Sequence, residues 1–159
     1  MTTYAKRPLT HHLAQLNIAR SRAPLTDPIM AGFVEQLDTI NALAEQSAGF
    51  VWRLKTDDGN ATSIHAFDDD LLIVNMSVWE SLDALYEFTY KSDHVQVFRR
   101  RTDWFERMTA PALTMWWLPA GDVPSVEQAK QRLEHLHHHG CTAHAFNFKT
   151  HFPAPEGTV

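Results

Sequence analysis

Polar side chains set two apart within apolar runs are the groups in this chain best placed to do chemistry. Gln15 and Asn17 alternate with Ala14, Leu16 and Ile18, and Asn75 and Ser77 interrupt the run from Leu71 to Val78. Arg53 stands among Phe50, Trp52 and Leu54. On a strand the side-chain period is two, so each polar pair shares one face. Buried amides are costly unless paired. In such surroundings they either orient a small ligand in a mostly apolar pocket, or pair with one another, the backbone or a partner subunit.

A second group lies between Trp79 and Trp104. Trp79, Tyr90, His94, Arg101 and Trp104 fall in one helical region, and Arg99 and Arg100 add charge. Histidine serves as acid or base near neutrality, and arginine holds a carboxylate or enolate oxygen through two hydrogen bonds. Aromatic walls stack on a planar substrate. The competing explanation is a solvated face in which the arginines meet Asp93, Asp103 and Glu106, pairs worth only about 0–1 kcal/mol when exposed. Trp116 and Trp117 are adjacent on a strand and must point to opposite faces. Packing accounts for both, and Trp116 is the one carried forward as a ligand contact. The working set is therefore His94, Asn17 and Arg101 for catalysis, with Gln15, Arg53, Asn75, Trp79, Tyr90, Trp104 and Trp116 as substrate contacts.

Metal and nucleotide chemistry have less support. Of His135, His137, His138 and His139, only His135 and His139 have the i, i+4 spacing that two ligands on a helix prefer. Cys141 lies nearby, but no recognised Cys/His signature completes a site. Cationic groups also suit the last turn of a helix that ends at Gly140. No metal is expected. The chain holds no Gly-rich phosphate loop, nucleophile elbow or dinucleotide fingerprint, which argues against triad hydrolysis and tightly bound nucleotides. No cofactor is expected, with haem and a weakly held flavin left open.

The elements that must position these residues follow from periodicity. His12 to Ala19 alternates as a first strand. Asp27-Pro28 caps a helix whose apolar stripe runs Met30, Phe33, Val34, Leu37, Ile40 and Ala44, with Gly49 as its stop. Phe50 to Leu54 reads as a second strand, Asp57-Asp58-Gly59-Asn60 as a turn, Ser63 to Phe67 as an undecided excursion, and Leu71 to Val78 as the clearest strand. Ser77 to Glu80 has the form of a capping box that opens a second helix. Leu82, Leu85 and Phe88 form its stripe, and a restart at Ser92 or Asp93 carries Val95, Phe98 and Phe105. Leu113 to Leu118 is a further strand. Ser125 caps a third helix with Val126, Ala129, Leu133 and Leu136 inward, and Ala145 to Phe152 is a final extended piece.

The order β-α-β-β-α-β with an α-β tail is the split βαβ, ferredoxin-like plan, an α+β class. Helices on one face of its antiparallel sheet leave an apolar second face, for which a second subunit is the simplest cover. The 159 residues fit one domain, 1–159, with 1–10 and 154–159 as loose ends. A net charge of -5 argues against nucleic-acid binding through a broad basic surface. A lone cysteine and no long apolar run point to the cytoplasm rather than export or a membrane.

Several runs carry a family resemblance: Gly49-Phe-Val-Trp-Arg-Leu54, Asn75-Met-Ser-Val-Trp-Glu-Ser81, Arg99-Arg-Arg-Thr-Asp-Trp-Phe105 and Met115-Trp-Trp-Leu-Pro-Ala-Gly121. The tail from Arg132-Leu-Glu-His-Leu136 to Ala145-Phe-Asn-Phe148 adds to them. Together they resemble a bacterial domain-of-unknown-function family in the dimeric α+β barrel superfamily, beside antibiotic-biosynthesis and haem-degrading monooxygenases. The resemblance covers nearly the whole chain. It implies a homodimer with a ligand pocket between sheet and helices, and a small-molecule function that is monooxygenase-like, isomerase-like or purely binding. Fold alone does not choose among these. Haem degradation in that superfamily uses an asparagine on the first strand, which Asn17 matches. The tryptophan and histidine it also needs are replaced by Phe88 and an arginine near Arg99.

Overall fold

The computed structural model describes residues 10–55, 67–92, 95 and 99–155. The turn at Asp57–Asn60, nearly all of the Ser63–Phe67 excursion, and His94 lie outside them, as do 1–9 and 156–159. Strand β1 (His11–Arg20) leads into helix α1 (Ala31–Gln46), then strands β2 (Phe50–Arg53) and β3 (Leu72–Trp79). Helix α2 (Leu82–Lys91), a short helix α3 (Arg101–Trp104), strand β4 (Leu113–Pro119) and helix α4 (Val126–His139) follow. The sheet order is β2-β3-β1-β4 and every pairing is antiparallel. β3 thus lies between β1 and β2, the strands joined through α1. The α+β, ferredoxin-like plan read from periodicity is the observed one.

Local signals explain most boundaries. Asp27 accepts a hydrogen bond from the Ile29 amide at 3.0 Å, and Pro28 opens a 3-10 turn that runs into α1. Ser125 caps α4 by accepting from the Gln128 amide at 3.0 Å. Gly49 has φ +83°, and a Cβ there would lie 2.5 Å from Ala84 Cβ, so the α1–β2 corner requires glycine.

Three expectations are corrected. Ser77 does not cap α2: β3 continues to Trp79, Ser77 is buried in it, and Ser81 caps the helix by accepting from the Ala84 amide. Phe105 does not continue a helical stripe, because its backbone is extended and bridges to Ser21. The Ala145–Phe152 tail forms no strand and joins the sheet only where Phe146 exchanges two backbone hydrogen bonds with Met115.

The second sheet face also differs from expectation. Ala14, Leu16, Ile18, Val74, Met76, Val78, Trp116 and Leu118 form that face, and all are buried within one chain. Ala129 and Leu133 of α4 pack on them. The chain covers this face with its own C-terminal helix, so burial there does not call for a partner.

Candidate functional site

The opposite face carries Leu13, Gln15 and Asn17 of β1, Ile73, Asn75, Ser77 and Trp79 of β3, and Leu113, Met115 and Trp117 of β4, as the registers Leu13↔Trp79, Gln15↔Ser77 and Asn17↔Asn75 require. At one end Trp79 is sealed. It stacks on Phe88 at 5.2 Å, meets Phe50 edge-on at 5.5 Å, and packs with Leu13, Ala44, Leu85, Met115 and Phe146. At the other end Asn17 and Asn75 face one another across central strands and are exposed. An exposed amide in the middle of a sheet means that the helices above have moved away.

The cause is the position of α1. It packs mainly on edge strand β2 and on its own leading turn, and Ala44 is its single buried residue. Phe33, Leu37 and Ile40 of its apolar stripe are only half-buried and line a cavity of about 790 Å³ between helix and sheet. That lies within the roughly 300–1,000 Å³ typical of ligand pockets. Ile73, Leu85, Phe88, Leu113 and Phe148 complete its apolar walls.

Polar groups are concentrated on the floor. Gln15 Nε2 donates to Asn75 Oδ1 at 2.7 Å and to Ser77 Oγ at 2.8 Å, and Trp79 Nε1 donates to the same Ser77 Oγ at 2.8 Å. This network fixes Gln15 and leaves the Asn17 side chain without a hydrogen bond among the described residues. Arg53 enters from β2 with Nε donating to Glu45 at 2.7 Å. Arg22, Arg101, Glu106 and Arg107 line the same space. Arg20 stands outside that lining and holds both Glu106, at 2.6 Å, and Asp69, at 2.9 Å. Its hydrogen bond pulls the Asp69 carboxyl below the ordinary value, helped by the Leu71 amide.

The cavity brings together Gln15, Asn17, Arg53, Asn75, Trp79, Tyr90 and Arg101. Two tryptophans stand elsewhere. Trp116 points to the α4 side, wholly buried, with the Arg132 guanidinium 5.9 Å from its ring. Trp104 anchors α3 to the start of α1, buried with Ala23 and Met30, beside Phe33 at 5.8 Å and beneath Arg100 at 4.7 Å. His135 lies 4.4 Å from His139 and 4.5 Å from His144 by ring centroids, and among the described residues no three His, Cys, Asp or Glu side chains are grouped to hold a metal. Sequence reasoning missed Arg22 and Arg107, which lie in irregular segments with no periodic signal. It saw the stripe of α1 but assigned it to covering the sheet.

The chain belongs to the family described as "Domain of unknown function (DUF3291)", whose model matches residues 12–159. No curated protein matches it. Among solved structures it is similar to PA3566 from Pseudomonas aeruginosa, with 14% identity, 72% of this chain and 99% of that one covered, and a TM-score of 0.47. It is also similar to a Nitrosomonas europaea protein described as "Putative antibiotic biosynthesis monooxygenase", with 11% identity, coverage of 75% and 96%, and a TM-score of 0.43. A third, the protein of unknown function NE2512 from Nitrosomonas europaea, has 11% identity, coverage of 74% and 99%, and a TM-score of 0.44. Among the described residues no helix is long and apolar enough to cross a membrane.

Proposed function

We propose that the protein binds a small, largely apolar and planar molecule between α1, α2 and the sheet. The observation that carries this is the half-buried stripe of α1 over an amide floor. Leu37 and Ile40, together with Phe33, which also meets Trp104 and Phe105, form an apolar face that the described residues leave only half-buried, and Asn17 and Asn75 lie on the sheet face that lines the same cavity. An amphipathic helix normally buries such a stripe on its own sheet. Standing off from it, the helix leaves a hollow with the composition of a ligand site: apolar walls and a few oriented polar groups.

The catalytic form of the proposal is a cofactor-independent, monooxygenase-like or isomerase-like reaction. His94 takes a proton from the substrate, Asn17 and Asn75 orient it, and Arg53 or Arg101 stabilises the resulting anion, which in the oxygenase case reduces dioxygen itself. One observation favours binding without catalysis. Among the described residues the lining contains no histidine, cysteine, aspartate or lysine, and its one glutamate is tied to Arg20. Catalysis therefore rests on His94. Neither form needs a homodimer.

Native mass spectrometry of the purified protein tests binding, with a retained small organic ligand as the expected result. Recording oxygen uptake with hydroxylated aromatics tests catalysis. Uptake that persists in both His94→Ala and Asn17→Ala removes the assigned roles.

A further inference from the structure

We infer that the ligand of this cavity is an anion, an apolar body carrying one carboxylate or similar oxyanion. The inference rests on the cavity being a ligand site and adds the chemical class of the ligand. A chain of net charge -5 lines this hollow with four arginines, Arg22, Arg53, Arg101 and Arg107, and a single carboxylate, Glu106, among the described residues. Arg53, Arg101 and Glu106 are already engaged. Arg53 is held by Glu45, and Glu106 by Arg20.

Arg22 and Arg107 have no carboxylate partner among the described residues. Arg22 Nε donates to the Thr102 carbonyl at 2.9 Å, which positions the guanidinium without cancelling its charge. The backbone holds this corner together: the Arg22 amide donates to the Trp104 carbonyl and the Glu106 amide to the Arg20 carbonyl, which sets Arg107 one residue beyond the pairing. Each of these guanidiniums, in the lining of an apolar hollow, can hold a carboxylate through two hydrogen bonds. The stripe of Phe33, Leu37 and Ile40 then takes the body, and Asn17 and Asn75 take any carbonyl or hydroxyl on it. Both arginines are exposed, so a neutral ligand would leave them to solvent, an anion would gain a charge-assisted pair, and a cation would be repelled.

The test uses two matched fluorescent dyes, 8-anilinonaphthalene-1-sulfonate and its uncharged parent N-phenyl-1-naphthylamine, titrated against the full chain. The anion should bind about tenfold more tightly than the parent, the scale of one charge-assisted pair. Added salt should narrow the ratio. In Arg22→Gln/Arg107→Gln the ratio should fall to within about threefold, and Arg22→Lys/Arg107→Lys should largely restore it. Because Arg22 also braces the Thr102 segment, Arg107→Gln alone provides a second variant, expected to narrow the ratio in the same direction. Equal or tighter binding of the parent dye, or a ratio that ignores both arginines, overturns the anionic class and leaves the cavity standing as a site. If neither dye saturates, or if cavity-filling Ile40→Trp leaves both titrations unchanged, the site itself is wrong and this inference falls with it.

Discussion

The two faces of the sheet are made by the same strands, residue by residue, yet one is solid and the other partly hollow. Toward α4, Ala14, Leu16, Met76, Val78, Trp116 and Leu118 meet Ala129 and Leu133 with almost no exposure. Toward α1 and α2, the Trp79 end is sealed by aromatic rings while Asn17 and Asn75 remain open. What differs is where each helix stands. α4 lies on edge strand β4 and reaches its central neighbour β1, whereas α1 is held over edge strand β2 by the Gly49 corner. A helix that reaches inward from its edge strand fills the face. One that stays over its edge strand roofs a space.

Truncation should separate the two faces most sharply. Trp116→Ala is expected to cost about 3–5 kcal/mol in chemical denaturation, since a fully buried indole leaves a void that the surroundings cannot fill. Ile40→Ala, on the hollow face, should cost no more than about 1 kcal/mol, because its side chain is only half-buried. Similar losses at both positions would break the distinction.

Polar substitutions sharpen the comparison at smaller magnitude. Gln15→Leu should cost about 1–2 kcal/mol, because it removes the donor shared by Asn75 and Ser77. Thr114→Val on the solid face should instead add about 1 kcal/mol, since the Thr114 hydroxyl is buried without a partner among the described residues.

The smallest effect concerns pH. Burial, then the Arg132 and His135 charges, push the His144 imidazole below its ordinary value. The native state thus binds fewer protons there than the unfolded chain. The stability this contributes is complete above the unfolded value of about 6.5 and is lost as pH falls through the lower folded value. His144→Gln should flatten that part of the stability profile, measured by thermal melting across mild acid.

Much of this was legible in the residues themselves. Alternation in Leu13 to Ile18 and Leu71 to Val78 sorted the faces correctly, and Asp27-Pro28 and Ser125 marked two helix starts. The Ser77 capping pattern misled because a serine in a strand can satisfy a tryptophan N–H as well as cap a helix. The face expected to need a partner is packed against α4, because periodicity shows that a helix is amphipathic but not which layer it joins. For the same reason the stripe of α1 was visible, and the hollow beneath it was not. Seven of the ten chosen site residues line the cavity, and Gln15, Asn17, Arg53 and Asn75 among them were found because strand alternation is a local signal. Trp104 and Trp116 do not line it, because large aromatics serve packing at least as readily as binding.

The central claim is that the hollow face, not the solid one, receives a small molecule. Methyl-resolved NMR during titration with the anionic dye measures this most directly. Saturable shifts confined to Leu37, Ile40, Ile73 and Leu113, with Val78, Leu118 and Leu133 still, are the predicted result. Shifts that fall mainly on the second set, or none that saturate, would contradict it.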